Sequence, residues 1–276
     1  MVTQYLYRIP LPLTVEEYQI AQLYTVAEYS KQETGGNNGI EVVTNEPFTK
    51  DKYPPLSQLL DGSYTEGQYT LKNYHLQDKI PGYIKKLVNN DYLTFVETAW
   101  NAYPYCRTLF KNKVKPADKF QINIESLHHS DINLQNPHNL TANQLKDLTT
   151  ITIDIGDNAY ATRVRAFNKE FDTTIFKTSD VGPLQPKWYE TFDPSKMMCC
   201  YKLVTLTLGV WGAYIMRPVI FQFEEKLFTD FHRRLYCYMD KWKGMSMADI
   251  REYEEKTKKE LEELIKQESL KGTTTI

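Results

Sequence analysis

The order of helical and strand-like segments is the feature that most limits what this chain can fold into. One helical segment is followed by a series of short strand-like segments, which are joined by short connections rather than by helices. That order predicts a largely antiparallel sheet and argues against repeated βαβ units. The strand candidates are 5–14, 40–46, 68–76, 93–98, 100–110, 119–128, 149–155 and 201–211.

Three segments have the apolar spacing of helices. The first, 14–33, precedes the series of strands, and the other two, 219–243 and 247–267, follow it. In the second helix an apolar residue recurs every three or four positions until Gly244, which predicts that one face packs into the core. That stripe consists of Phe223, Leu227, Phe231, Leu235, Tyr238 and Trp242.

Composition excludes several classes of protein. The chain has 276 residues, enough for one large domain with a sizeable core, and its net charge of −2 gives no general attraction to nucleic acid. The four cysteines lack the spacing of a zinc site, which is typical of reduced thiols in a cytosolic protein. We expect no signal peptide at the N-terminus, and the chain lacks an apolar run of ~18 residues that could span a bilayer.

The strand-like segment GQYTLKNYHL, 67–76, does not have a plainly apolar face. Because side chains alternate along a strand, Thr70, Lys72 and Tyr74 share one face, and the residues between them share the other. Lys72 is therefore either a solvated strand residue or a group that points at a bound ligand.

Glu254 interrupts the apolar pattern of the last helix. At roughly 100° per residue, Ile250, Tyr253, Thr257, Leu261 and Leu264 form one narrow stripe, and Glu254 lies inside its edge. A buried carboxylate without a partner is costly, so Glu254 either reaches solvent or has a partner. Two candidate partners are Lys72 and a ligand rich in hydroxyl groups.

Several longer segments resemble one family, the class I phosphatidylinositol transfer proteins. The resemblance runs in order over roughly residues 1–270, and WNAYPYCRT is its most specific segment. The other segments are EEYQIAQLYTVAEYSKQETGG, GQYTLKNYHL, CYKLVT, FTDFHRRL and MADIREYEEKTKKELEE. Three regions differ from the family: 48–66 is longer, 157–196 matches poorly, and a pair of tryptophans is replaced by Val210 and Trp211.

The resemblance implies an α+β fold of the START-like, helix-grip kind. A concave, mostly antiparallel sheet of about eight strands and two long helices would enclose a lipid cavity. Residues 1–276 would form a single lipid-binding domain with a loop insertion near 48–66, and the C-terminal helix, 247–267, would close the cavity.

The function implied is transfer of one phosphatidylinositol or phosphatidylcholine molecule between membranes, without covalent chemistry. The protein would be a cytoplasmic monomer that touches membranes transiently, with the Golgi or endoplasmic reticulum as possible sites. We expect no cofactor, metal site or catalytic residue, since the phospholipid is cargo.

The resemblance also implies roles for single residues. Contacts to inositol would come from Thr70, Lys72, Glu97, Asn101 and Glu254. Contacts to the lipid phosphate would come from Gln22, Thr108, Ser126 and Lys202, with Ser126 in place of a threonine of the family. Val210 and Trp211 would dock on the membrane, and Cys106 would be a reactive thiol.

Plainer interpretations of these residues remain open. Asn101 could cap the turn before Pro104, Cys106 could be a small buried side chain, and Trp211 could be a core anchor. Lys202 stands out in a strand rich in leucine and valine, where a lysine must pair or extend to solvent.

Two other functions compete with transfer. A lipase or esterase could use the same cavity, but the sequence lacks the GxSxG nucleophile motif. A lipid sensor that presents phosphatidylinositol to lipid kinases without transferring it is the alternative that the sequence leaves open.

Overall fold

The protein contains an eight-stranded, mostly antiparallel sheet with helices packed on it. The computed structural model describes residues 2–33, 39–75, 94–113, 120–209 and 213–265. Within these residues the strand order is β2-β3-β4-β5-β6-β8-β1-β7, and the β1–β7 pair is the parallel one. The strands are β1 Val2–Leu11, β2 Gly39–Phe48, β3 Gly67–His75, β4 Thr94–Ala102, β5 Tyr105–Asn112, β6 Phe120–His129, β7 Thr149–Thr152 and β8 Met198–Leu208.

Most strands begin or end a few residues away from their predicted bounds, and two of the differences involve prolines. The break expected near residue 99 falls at Tyr103 and Pro104, which form the turn between β4 and β5. Proline lacks an N–H group for the ladder, so the chain reverses there. Pro10, by contrast, lies inside β1 and is paired with β8. The pairing of β1 with β7 covers only Tyr5 to Arg8, so the absence of an N–H group on Pro10 costs no hydrogen bond to β7.

The helices follow the predicted order with altered ends. They are α1 Val15–Glu33, α2 Ala142–Lys146, α3 Asn158–Arg163, α4 Ala213–Cys237, α5 Met239–Trp242 and α6 Met247–Ile265. Three single-turn 3₁₀ helices, Lys169–Phe171, Trp188–Glu190 and Pro194–Lys196, lie in the irregular segment before β8. The predicted helix 219–243 is thus two helices, since α4 ends at Cys237. The Trp242 indole donates to the Leu235 carbonyl at 3.0 Å, one of the carbonyls left free at that end.

The predicted apolar stripe of α4 is wrong at its start. Phe223 is 59% exposed, whereas Phe221, Glu224 and Phe228 are buried. In the first half of α4, the buried positions are therefore one residue later than the predicted ones, with Glu224 and Phe228 in place of Phe223 and Leu227. Further along the helix, Leu235 is buried as predicted. Periodicity alone could not resolve this, because phenylalanines occur on both faces.

The two faces of the sheet are covered by different parts of the chain. Helices α1, α4 and α6 cover the face that we call the inner face. Tyr7 of β1 donates to the Phe221 carbonyl of α4, and the Tyr18 hydroxyl of α1 lies 3.7 Å from Cys200 Sγ of β8. The predicted insertion 48–66 packs on the outer face, where Tyr53 stacks on Tyr69.

The irregular segment before β8 is anchored to α4. Arg233 is 1% exposed, and its guanidinium donates to the Ile155 carbonyl at 2.8 Å and to Asn158 Oδ1 at 2.6 Å. Asp172 lies 3.6 Å from the same guanidinium. A buried arginine with several acceptors fixes this segment against the helix. None of the helices in the described part of the chain is long and apolar enough to cross a membrane.

Candidate functional site

Six residues on neighbouring strands form one line across the inner face, which we call the central row. Side chains of directly paired residues lie on the same face of a sheet. The pairing runs through Gln68, Asn101, Cys106, Ser126, Lys202 and Tyr7. Four predicted site residues that are far apart in sequence are therefore brought into one row.

The other predicted residues of the sheet lie in the next two rows of the same face. Thr70 is aligned with Thr108 through Ala99, which pairs with both. Lys72 pairs directly with Glu97. The structure thus places all eight predicted residues of the sheet on the inner face, and their roles in binding a ligand stay predictions.

Lys202 is a half-buried cation without a carboxylate partner. Its Nζ donates to Ser126 Oγ at 3.1 Å and lies 5.2 Å above the Phe228 ring. Among the described residues no carboxylate lies within ion-pair distance of it. Burial lowers the pKa of His232 to about 3, and the Lys202 charge adds to this effect. An anion is the natural partner for such an ammonium group.

Lys72 has a different environment. Its Nζ lies 3.6 Å from Glu97 Oε1, and Tyr74 donates to the other oxygen of Glu97 at 2.7 Å. Burial, and then the charge of Glu97, raises the pKa of Tyr74 well above its usual value, so this phenol stays a donor. The three side chains offer both donors and acceptors in one place.

Cys106 and Thr108 are adjacent on the inner face of β5. Cys106 Sγ lies 3.9 Å from Thr108 Oγ1. Burial raises the pKa of the Cys106 thiol to about 11, although Lys202 opposes the rise. In this conformation the group is a thiol rather than a thiolate, so the predicted reactivity would need a change in its surroundings.

The helices carry the remaining predicted residues. Gln22 is half-buried on α1, one turn after Tyr18, whose hydroxyl lies 3.0 Å from His232 Nε2. Glu254 on α6 pairs with Arg251 at 2.5 Å. The Lys72–Glu254 pair considered from the sequence does not form, because each residue has a nearer partner of opposite charge.

A pocket of about 460 Å³ lies where the first residues of β3 and the last of β4 meet the segment 63–66, α1 and α6. Its lining includes Gln68 and Asn101 of the central row, Gln19 of α1 and Arg251 of α6. Asn101 Oδ1 is buried and has no hydrogen-bond partner in the part of the chain that the structure describes. A ligand group with a hydroxyl or an N–H could satisfy that oxygen.

Glu224 is a residue of this face that the sequence prediction missed. It is 5% exposed on α4, between Phe221 and Phe228, and its Oε2 has no partner within the described residues. Burial raises the pKa of Glu224 to about 7, although the Lys202 charge opposes the rise. The signal available in the sequence was a carboxylate spaced three and four residues from two phenylalanines.

Other predictions lie outside the described residues. These are Val210 and Trp211, the predicted membrane-docking pair, and the last two positions of the helix predicted at 247–267. Within the described residues, no group of three or more His, Cys, Asp or Glu side chains is placed to hold a metal ion.

An open antiparallel sheet with a polar row on its helix-covered face defines the class of START-like, helix-grip proteins. The family model described as "Phosphatidylinositol transfer protein" matches residues 2–259. The chain belongs to the phosphatidylinositol transfer protein family.

Two relatives illustrate how far the similarity extends. The human phosphatidylinositol transfer protein beta isoform is 41% identical over 275 residues, which cover 97% of this chain and 96% of that protein. Phosphatidylinositol transfer protein 1 of Dictyostelium discoideum is 39% identical over 266 residues, which cover 95% of each chain.

Proposed function

We propose that this protein binds one phosphatidylinositol or phosphatidylcholine molecule and exchanges it between membranes. It acts as a cytoplasmic monomer that contacts the membrane transiently, at the Golgi or endoplasmic reticulum. Val210 and Trp211 serve as membrane-docking residues in this proposal. Family membership and the chemistry of the inner face support it.

The observation that carries the proposal is the half-buried ammonium group of Lys202, which has no carboxylate partner among the described residues. A phosphodiester has one negative charge and several acceptor oxygens, and it is bound well by a cation beside hydroxyl donors. Lys202 supplies the cation, and Ser126 lies within hydrogen-bond distance of it. On β5, the strand next to that of Ser126, Thr108 lies two residues after Cys106 and supplies a second hydroxyl for the phosphate. Gln22 of α1 supplies an amide for the same phosphate.

The Lys72–Glu97 pair suits a sugar-like headgroup. Inositol hydroxyls both donate and accept, so they need partners of both kinds. Glu97 accepts and Lys72 donates, while the unpartnered Asn101 Oδ1 can accept another hydroxyl hydrogen. Thr70 and Glu254 complete this set in the proposal.

The rest of the inner face suits acyl chains. Phe95, Phe110 and Phe120 form an aromatic cluster with ring centroids 5.2 to 5.6 Å apart, and Ile124 continues it on β6. These four side chains remain partly accessible although helices pack over the sheet. Apolar side chains that stay accessible in the interior favour binding of an apolar ligand.

Two measurements test the proposal. Mass spectrometry of organic extracts of the purified protein should identify phosphatidylinositol and phosphatidylcholine at about one lipid per chain. Vesicles with labelled lipid should then show that the protein accelerates transfer of each lipid to acceptor vesicles. Binding without transfer would favour a lipid presenter, whereas hydrolysis of the bound lipid would favour an enzyme.

A further inference from the structure

Among the described residues, the inner face contains a buried carboxylate that none of the roles above uses. Glu224 lies on α4 between two residues that touch the sheet. Phe221 stacks on Tyr5 with ring centroids 3.7 Å apart, and the Phe228 ring lies beneath Lys202. Glu224 is 5% exposed and its Oε2 has no hydrogen-bond partner among the described residues, so it faces the space between helix and sheet.

Charged and titratable groups of three strands face Glu224. Lys202 of β8 stabilises its ionised form, while Tyr7 of β1 and Tyr74 of β3 are each affected by its charge. From α1, Tyr29 acts on the same Tyr74 phenol. On its own helix the neighbouring carboxylate, Glu225, accepts a hydrogen bond from Tyr160 at 2.6 Å. Lys202 is thus the cation that faces Glu224.

The charge of the bound headgroup then matters for Glu224. The phosphate of either lipid would neutralise Lys202 and leave Glu224 without a cation. Phosphatidylcholine carries a trimethylammonium group next to its phosphate, so its headgroup has no net charge. Phosphatidylinositol lacks that cation, and its headgroup has a net charge of one negative unit. An ionised Glu224 therefore disfavours the inositol lipid relative to the choline lipid.

We propose that Glu224 is a proton-linked selectivity residue, which binds a proton when phosphatidylinositol occupies the site and is ionised when phosphatidylcholine does. This inference rests on the function proposed above and deepens it. Its consequence is that acidic solution favours the inositol lipid and alkaline solution favours the choline lipid, since the form with more bound protons is favoured as pH falls.

The protonation of Glu224 changes within the physiological pH range. Burial raises the pKa of Glu224 to about 7, and a phosphate anion nearby raises it further. The histidines beside Lys202 do not titrate in the same range. Burial and the Lys202 charge lower the pKa of His128 well below its usual range and that of His232 to about 3. The lipid phosphodiesters are ionised throughout.

A competition experiment tests the inference with the 276-residue chain. The protein is equilibrated with vesicles of equal phosphatidylinositol and phosphatidylcholine content at pH 6, 7 and 8, and the bound lipids are counted by mass spectrometry. We expect the bound ratio of inositol to choline lipid to fall by about threefold or more between pH 6 and 8, with a limit of about 100-fold for one proton.

The variant Glu224→Gln is neutral at every pH and should keep a high, pH-independent ratio. Glu225→Gln is the matched control, because its side chain keeps an acceptor for Tyr160, and it should behave like the natural protein. If Glu224→Gln fails to fold, the change of the bound lipid ratio with pH in the unmodified protein still tests the inference.

The outcomes separate the inference from the proposed function. If both lipids bind and are transferred but the ratio is constant with pH, the inference is wrong and the proposed function stands. The same holds if Glu224→Gln retains the full pH response. If neither lipid binds, the proposed function fails, and the inference fails with it.

Discussion

Lys72 and Glu97 lie opposite each other on β3 and β4, and their charged atoms are 3.6 Å apart. Lys202 on β8, three strands beyond β4 in the sheet, has no such partner within the described residues. One lysine of the inner face is therefore neutralised by the protein, and the other is left for an anion. This difference is the physical basis for assigning inositol to the first and phosphate to the second.

The inositol assignment predicts a selective loss. Thr70→Ala and Glu254→Ala should each reduce phosphatidylinositol transfer tenfold or more and leave phosphatidylcholine transfer largely intact. Each inositol hydroxyl that loses its partner in a buried site costs roughly 1–3 kcal/mol, and choline has no hydroxyl to lose. Transfer of both lipids should be measured on the same vesicles.

Glu255→Ala is the control for the Glu254 change, since Glu255 is exposed on the same helix turn. It should transfer both lipids normally. An equal loss of both lipids in Thr70→Ala or Glu254→Ala would contradict the inositol assignment. Glu254→Ala also removes the Arg251 pair, so its folding should be checked by thermal denaturation.

The phosphate assignment predicts a loss that both lipids share. Lys202→Ala should impair transfer of phosphatidylinositol and phosphatidylcholine alike, because the phosphodiester is common to them. A charge-assisted hydrogen bond of this kind contributes roughly 1.5–3 kcal/mol, or about 10-fold to 100-fold in binding. Lys196→Ala removes an exposed lysine just before the same strand and serves as control. If Lys202→Ala affected phosphatidylinositol alone, the division of roles would be wrong.

The sequence predicted the elements of this fold better than it predicted the relations between them. The antiparallel sheet, the order of the helices and the shared face of Thr70 and Lys72 followed from periodicity, which is a local property. The central row depends instead on strand register, which turn geometry and long-range pairing decide. That Asn101, Cys106 and Lys202 lie in one row could not be inferred from any single strand.

Side-chain partners were predicted less well for the same reason. The last helix places Glu254 at the edge of its apolar stripe, as predicted, but its partner is Arg251 rather than Lys72. Glu224 was missed because the predicted stripe of α4 began at Phe223, on the exposed side. Which of two phenylalanine-bearing faces is buried depends on what packs against the helix, not on the helix sequence alone.

The buried Arg233 should be important for stability rather than for lipid binding. Arg233→Met keeps much of the side-chain volume but removes the cation that pairs with Asp172 and donates to the Ile155 carbonyl. Removing one member of a buried ion pair typically costs about 3–5 kcal/mol. Urea denaturation should show a loss of this size, and Arg163→Met, on an exposed residue nearby, should be close to neutral. A loss under 1 kcal/mol would show that the 157–196 segment is not held through this residue.

The Cys106 thiol should react slowly in the closed protein. With a pKa of about 11, its thiolate fraction at pH 7.5 is roughly 100-fold below that of an ordinary cysteine. Alkylation followed by peptide mass spectrometry should therefore label Cys106 slowly in buffer and rapidly in urea, which is the internal control. Fast labelling of the folded protein would mean that the thiol leaves its buried surroundings, as the predicted reactive thiol requires.

Glu224 should make the stability of the lipid-free protein depend on pH. Its pKa rises from 4.5 to about 7 on burial, so the folded state loses stability as pH increases through this range. Well below pH 4.5, the carboxyl is protonated in both states and the penalty is absent. At pH 8 the penalty is full, and Glu224→Gln should then raise the free energy of unfolding by about 1–3 kcal/mol relative to the unmodified protein. Urea denaturation at pH 5 and pH 8 measures the difference. Glu225→Gln should show no such gain, and an equal effect of Glu224→Gln at both pH values would mean that Glu224 is not a buried titrating group.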